Sequence, residues 1–202
     1  MTSISDLNNL HDTWSQKWKD KQFPKFCPLS KGPYHTLIFL ETPGPRSKDG
    51  EVSMSNDDDT AREIGRLVKE IAFDKDKWPG VLLWNAIPWV LDDDPTVGNV
   101  KEAIELGLHD DLLKLLGSDL KFVVLMGDLS RRLLPHLTPR IGNAHLYGGH
   151  HTSRRTQNRY PETVQENEAV FQHIRKSSKS CNFQFLNRLK SYVVLIRKML
   201  FL

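Results

Sequence analysis

The groups in this chain best suited to chemistry lie in three short stretches. Residues 41–47, ETPGPRS, offer a carboxylate, Glu41, next to a glycine held between two prolines. A Pro43-Gly44-Pro45 turn is stiff and lets another backbone or a ligand come close, and a carboxylate beside it can act as a general base or orient a water. Residues 85–89, NAIPW, carry a carboxamide, Asn85. With one acceptor and two donor hydrogens, an amide can read the edge of a planar ligand. Residues 150–155, HHTSRR, combine imidazoles with guanidiniums and follow Gly148 and Gly149, which are expected to release the backbone; Arg159 adds a further cation. An imidazole can stabilise developing negative charge, and guanidiniums suit phosphates. Each stretch also has an ordinary structural reading, as a proline turn, a turn-forming asparagine or a solvated basic loop. Together they describe a site for a base or nucleotide attached to a phosphate backbone.

The elements that must position these stretches follow from the apolar pattern. Short apolar runs at 36–40, 81–84, 122–126 and 144–147 predict four buried strands, the second after a Pro79-Gly80 turn. Between them, Ile64, Leu67, Val68 and Ile71 have helical spacing behind a capping box from Thr60 to Glu63. Ile104, Leu108, Leu112 and Leu115 predict another helix, Leu129, Leu133 and Leu134 a short one before Pro135, and Pro161 opens the last. Strands alternating with helices imply a parallel sheet covered on both faces. Ligands of such sheets sit beyond the carboxyl ends of the strands. That rule places all three stretches at one edge.

A length of 202 residues suits one domain, with 176–202 set apart as a basic, partly apolar helix or tail after a domain of 1–175. The net charge of +3 permits a polyanionic partner only where the cations are concentrated, as they are at 154–159. The two cysteines, Cys27 and Cys181, lack metal-ligand spacing and read as free thiols. They cannot supply a four-thiolate iron–sulfur cluster. No signal peptide or spanning segment is legible, so an intracellular protein with no membrane partner is expected.

With these motifs in order, residues 36–175 resemble the uracil-DNA glycosylase superfamily. Its first motif, G-x-[D/N/A]-P-G/Y, stands here as Leu40-Glu41-Thr42-Pro43-Gly44-Pro45; its strand-end asparagine is Asn85 in VLLWNAIPW; its H-P-S-P loop is His151-Thr152-Ser153-Arg154. Related sequences carry an S-x-x-N-x-D-x-T-A stretch, matched by Ser53, Asn56, Asp58, Thr60 and Ala61. The resemblance implies an α/β fold, a three-layer α/β/α sandwich on a four-stranded parallel sheet. It implies a monomeric DNA glycosylase that flips out and excises uracil or a related damaged pyrimidine, without metal or organic cofactor. Asn85 would read the base edge, with Gly44 and Trp89 beside the base. His151 would bond O2 of the leaving base, and Glu41, with Thr42 in the superfamily's catalytic position, would handle the water. Pro43, Pro45, Arg46, Ser153, Arg154 and Arg155 would meet the DNA. Thr42 replaces an aspartate or asparagine, Thr152 and Arg154 replace the two prolines, and Gly44 replaces a tyrosine that excludes 5-methyl groups. The aromatic that stacks on the base has no clear counterpart; Phe73 and Trp89 are candidates, and Glu51 stands where an aromatic is often found. Two other readings stay open: a DNA-binding member of the fold that has lost hydrolysis, and a hydrolase of free nucleotides.

Overall fold

The computed structural model describes residues 2–44, 50–70 and 78–180. Pro45, Arg46, Ile71, Phe73, Cys181 and the tail beyond residue 180 lie outside the described residues. In chain order the elements are α1 (Ile4–Lys17), β1 (Lys25–Phe26), β2 (Ser30–Leu40), β3 (Glu51–Val52), α2 (Asp59–Lys69), β4 (Trp78–Asn85), α3 (Val97–Glu105), α4 (Leu108–Leu116), β5 (Phe122–Met126), α5 (Asp128–Arg131), α6 (Leu134–Leu137), β6 (His145–Gly149), α7 (Arg154–Arg159) and α8 (Glu162–Ser180).

The main sheet has the order β4-β2-β5-β6, with every pairing parallel. β1 and β3 form a separate parallel pair. β5 and the second half of β2 are apolar because helices cover both faces: Leu37, Ile38, Phe39 and residues 122–126 are buried, as is Leu82 of β4. One group of helices joins α1, α3 and α4, and another joins α2, α7 and α8. This is an α/β architecture, a four-stranded parallel sheet flanked by helices.

Several boundaries differ from the sequence reading for identifiable reasons. The cap of α2 is Asp58, whose carboxylate accepts the Ala61 N–H at 2.7 Å, and not Thr60; Glu63 instead bonds Arg66 at 2.8 Å. The run from Ile104 to Leu115 is two helices, because Gly107 takes a φ of 76° between them. β6 extends through Gly148 and Gly149, which pair with Leu125 and Met126 and so belong to the strand, not to a released loop. Arg154 and Arg155 begin a helix. α8 runs through residue 175, so the 175/176 boundary falls inside a helix. α1 has no counterpart in the sequence reading, although Ser3 and Asp6 form a reciprocal capping box and Leu7 and Trp14 bury one face.

The order β4-β2-β5-β6 also locates the crevice. From β2 the chain moves outward to β4, then returns to the other side of β2 for β5 and β6. The reversal falls between β2 and β5, where the loops at their carboxyl ends diverge. No helix among the described residues is long and apolar enough to cross a membrane.

Candidate functional site at the carboxyl edge of the sheet

Glu41 is the first residue past β2, Asn85 the last of β4, and His150 the first past β6. The three stretches thus leave the same edge of one parallel sheet. The β2 and β4 exits are tied together by backbone: Leu40 pairs with Asn85, Ala86 N–H donates to Leu40 O at 2.8 Å, and Ile87 N–H to Glu41 O at 2.9 Å.

Asn85 is 1% exposed, and neither its Oδ1 nor its Nδ2 has a hydrogen-bond partner among the described residues. Leaving a buried donor or acceptor unpaired costs about 1–3 kcal/mol per group, so native proteins rarely tolerate it without a functional reason. The Thr42 and Thr152 hydroxyls are likewise buried without a partner among the described residues. Each of the three stretches therefore carries an unsatisfied polar group at this edge.

Glu41 crosses the crevice between β2 and β5. Its Oε1 accepts the Leu129 N–H at 3.0 Å, at the start of α5, where a carboxylate suits the helix N-terminus. Its Oε2 lies 3.7 Å from His151 Nε2, inside ion-pair range but beyond a hydrogen bond. The close approach needs Gly127, with φ 101°: a Cβ there would fall 2.5 Å from Glu41 Oε1.

His151 has a defined tautomer. The Ser153 N–H donates to its Nδ1 at 3.0 Å, so a neutral ring carries its proton on Nε2, the nitrogen on the Glu41 side. Ser153 also caps α7 through Oγ, which accepts the Thr156 N–H at 3.3 Å. His150 points elsewhere: its Nε2 pairs with Glu166 Oε2 at 2.6 Å. The two histidines of the loop therefore divide, one toward the crevice and one toward α8.

Neither a protein-family model nor a curated protein matches this chain. The geometry and chemistry of the edge are what a functional reading must rest on.

The remaining expected site residues are placed unevenly. Pro43 is buried and Gly44 exposed; a Cβ on Gly44 would meet nothing within 4 Å, so neither packing nor a positive φ requires glycine there. Arg154, Arg155 and Arg159 are exposed and form no ion pair among the described residues, while Arg159 stacks over Tyr160 at 5.3 Å. Trp89 does not fit the role expected of it. It is 3% exposed, with Phe23 against it edge-on at 6.5 Å and the Lys21 ammonium over its ring at 4.2 Å, which leaves no open face for a base. Glu51, in β3, accepts from Asn56 through its backbone carbonyl. Ser53, Asn56 and Asp58 shape the turn into α2: Ser53 bonds Ser55 and Cys27, and Asp58 caps the helix.

Three supporting residues escaped the sequence reading. Gly127 follows the apolar run 122–126 and carries no local sign of its contact with Glu41. Asn167 lies on the buried stripe of α8 with Thr163, Phe171 and Ile174, where a lone asparagine at i+4 spacing among apolar residues was the available signal. His109 on α4 had none. It is fully buried, donates Nε2–H to Ala86 O at 3.0 Å, and so fixes the backbone next to Asn85.

Burial, with His136 nearby, pushes the His109 imidazole down to about 4. In the unfolded chain the same ring takes up its proton near the ordinary value of about 6.5. Folding is then fully supported above about pH 6.5, weakens as the pH falls through the window down to about 4, and levels off below it. The loss amounts to about 3 kcal/mol at most. His109→Gln, which keeps a donor for Ala86 O, is expected to lose less stability than the parent between pH 7 and pH 4.5 in urea titrations. An equal loss in both proteins would show that His109 does not set this dependence.

Proposed function

We propose that this chain is a DNA glycosylase that flips uracil or a related damaged pyrimidine out of DNA and hydrolyses its N-glycosidic bond, on a uracil-DNA glycosylase-like fold. The observation that carries the reading is the buried Asn85 carboxamide without a partner among the described residues, at the same edge as a histidine whose tautomer presents Nε2–H.

The bond lies hidden inside a duplex, so the nucleotide must leave the stack, at a cost of a few kcal/mol that is smallest at a mismatch. Uracil opposite guanine is therefore favoured over uracil opposite adenine before any pocket contact forms. In the pocket, Asn85 Oδ1 accepts from N3–H and Nδ2 donates to O4. Cytosine offers the reverse pattern and would leave buried groups unpaired. As the glycosidic bond breaks, its electron pair moves onto the base, and His151 Nε2–H meets the charge developing on O2. One such preorganised donor is worth roughly 3–4 kcal/mol. Water adds to C1′ of the sugar. Because Glu41 Oε1 already serves Leu129, Oε2 is the oxygen left to orient or deprotonate that water, with the Thr42 hydroxyl as a second holder. Thr42 can hold a water but cannot take its proton. Arg154, Arg155 and Ser153 face the phosphate backbone, which suits exposed guanidiniums without acidic partners among the described residues.

A competition of uracil-containing oligonucleotide against free deoxyuridine monophosphate tests this reading. Base release from the oligonucleotide at least a hundredfold faster is expected; preference for the free nucleotide would make the protein a nucleotide hydrolase. Tight binding of uracil-containing DNA with no release at all would instead favour the DNA-binding reading that Thr42 suggests.

Gly44 sets the breadth of the pocket. With open space where a bulky ring would stand, 5-hydroxymethyluracil is expected to be excised within about two orders of magnitude of uracil, since a hydrophobic pocket separates one small substituent by only about 1–3 kcal/mol. Gly44→Tyr should slow the 5-substituted base at least tenfold more than uracil. Equal effects on both bases, measured on matched oligonucleotides with guanine opposite, would place Gly44 away from C5.

A further inference from the structure

β6 is the edge strand of the sheet among the described residues, which offer no neighbouring strand to the backbone groups just beyond it. His150 stands there, and a side chain from α8 replaces the missing strand. Asn167, 1% exposed, accepts the His150 N–H through Oδ1 at 2.8 Å and donates Nδ2–H to the His150 carbonyl at 3.2 Å. One carboxamide thus satisfies both backbone groups of a single residue, as a paired strand would. The approach is close enough to restrict Gly149: a Cβ there would lie 3.0 Å from Asn167 Oδ1 and 2.5 Å from Met126 Sδ. The next residue is His151, whose ring is held from the other side by the Ser153 N–H.

We propose that Asn167 is a positioning residue for His151. Acting through the His150 backbone, it fixes the direction in which the β6 exit delivers the imidazole and keeps Nδ1 within reach of Ser153, so that Nε2–H faces the crevice. The His150–Glu166 pair fastens the same turn from outside, at a more exposed site. A buried amide costs stability unless both its ends are used, and here both are. The role in catalysis rests on the glycosylase reading; the role in orienting His151 does not.

The test uses the full chain. Long-range proton–nitrogen NMR of the histidines reports the His151 tautomer, hydrogen exchange reports the His150 amide, and single-turnover excision from a uracil·guanine duplex reports activity. In folded Asn167→Ala, the His150 amide should lose at least tenfold in protection. His151 should pass from a single Nε2–H form to a mixture, and excision should slow at least tenfold while oligonucleotide affinity stays within threefold. Asn167→Asp, once ionised, keeps the acceptor for the His150 N–H but not the donor to its carbonyl, and at a pH where it is ionised should fall between parent and alanine variant. It also carries the test where the alanine variant does not fold. An unchanged His151 signal and excision rate in a folded variant overturns the proposal, as does a change confined to melting temperature. If the parent releases no base but the His151 signal still shifts on substitution, positioning stands and the glycosylase reading falls.

Discussion

His151→Ala is expected to slow single-turnover excision of uracil by roughly a hundredfold or more and to change affinity for uracil-containing DNA by no more than about threefold. The asymmetry follows from when the group is used. O2 of a bound uracil is a weak acceptor, whereas O2 of the departing base carries a growing negative charge, and only interactions that strengthen toward the transition state raise the rate. The Ser153 N–H on Nδ1 leaves Nε2–H as the free donor of a neutral ring, so no proton must move before it acts. His150→Ala is the internal control: its ring pairs with Glu166, and its substitution should cost much less. If the loss in His151→Ala appears wholly as weaker DNA binding, the histidine holds DNA and not the leaving base.

Asn85→Asp should have an effect of comparable size that depends on pH. The side chain is buried at the end of β4, and burial raises the pKa of a carboxyl group. While protonated, aspartic acid still offers one donor and one acceptor and imitates the amide; once ionised, it has only acceptors, and O4 of uracil is repelled. Residual uracil excision should therefore fall as the pH rises from about 6 to 8, while the parent shows no such fall from this position. Any gain on cytosine should appear in the protonated form, whose hydroxyl donates to N3 and whose carbonyl accepts from N4–H. A variant that excises uracil as well as the parent across that range would remove Asn85 from base reading.

How much of this was legible in the sequence varies by the kind of interaction. Strands 122–126 and 81–84 were legible because a strand buried on both faces must be apolar throughout. The convergence of Glu41, Asn85 and His151 on one edge followed from the parallel alternation alone. What was not legible was long-range and polar. Nothing local distinguishes His109 from a surface histidine; its role depends on a bond across 23 residues to Ala86 O. Gly127 combines a positive φ with room for Glu41, which reaches across from another strand. Trp89, the last residue of the candidate stretch 85–89, turns into the core because Phe23 and Lys21, brought close by the N-terminal segment, complete its packing. The capping box at Thr60 failed for a local reason: Asp58, two residues earlier, is an equally good cap and places Ala61, Ile64, Leu67 and Val68 on the buried face.

The most direct measurement is the release of free base from a duplex with a single uracil opposite guanine, with the protein in excess and no divalent cation added. Free uracil should appear in step with an alkali-sensitive abasic site at that position. The same protein should leave the matched cytosine·guanine duplex intact, and the rate should fall at least tenfold when adenine replaces guanine opposite the uracil. Absence of base release from uracil and from every 5-substituted or deaminated pyrimidine in the same duplex, by a protein that is folded and binds the DNA, would contradict the glycosylase reading.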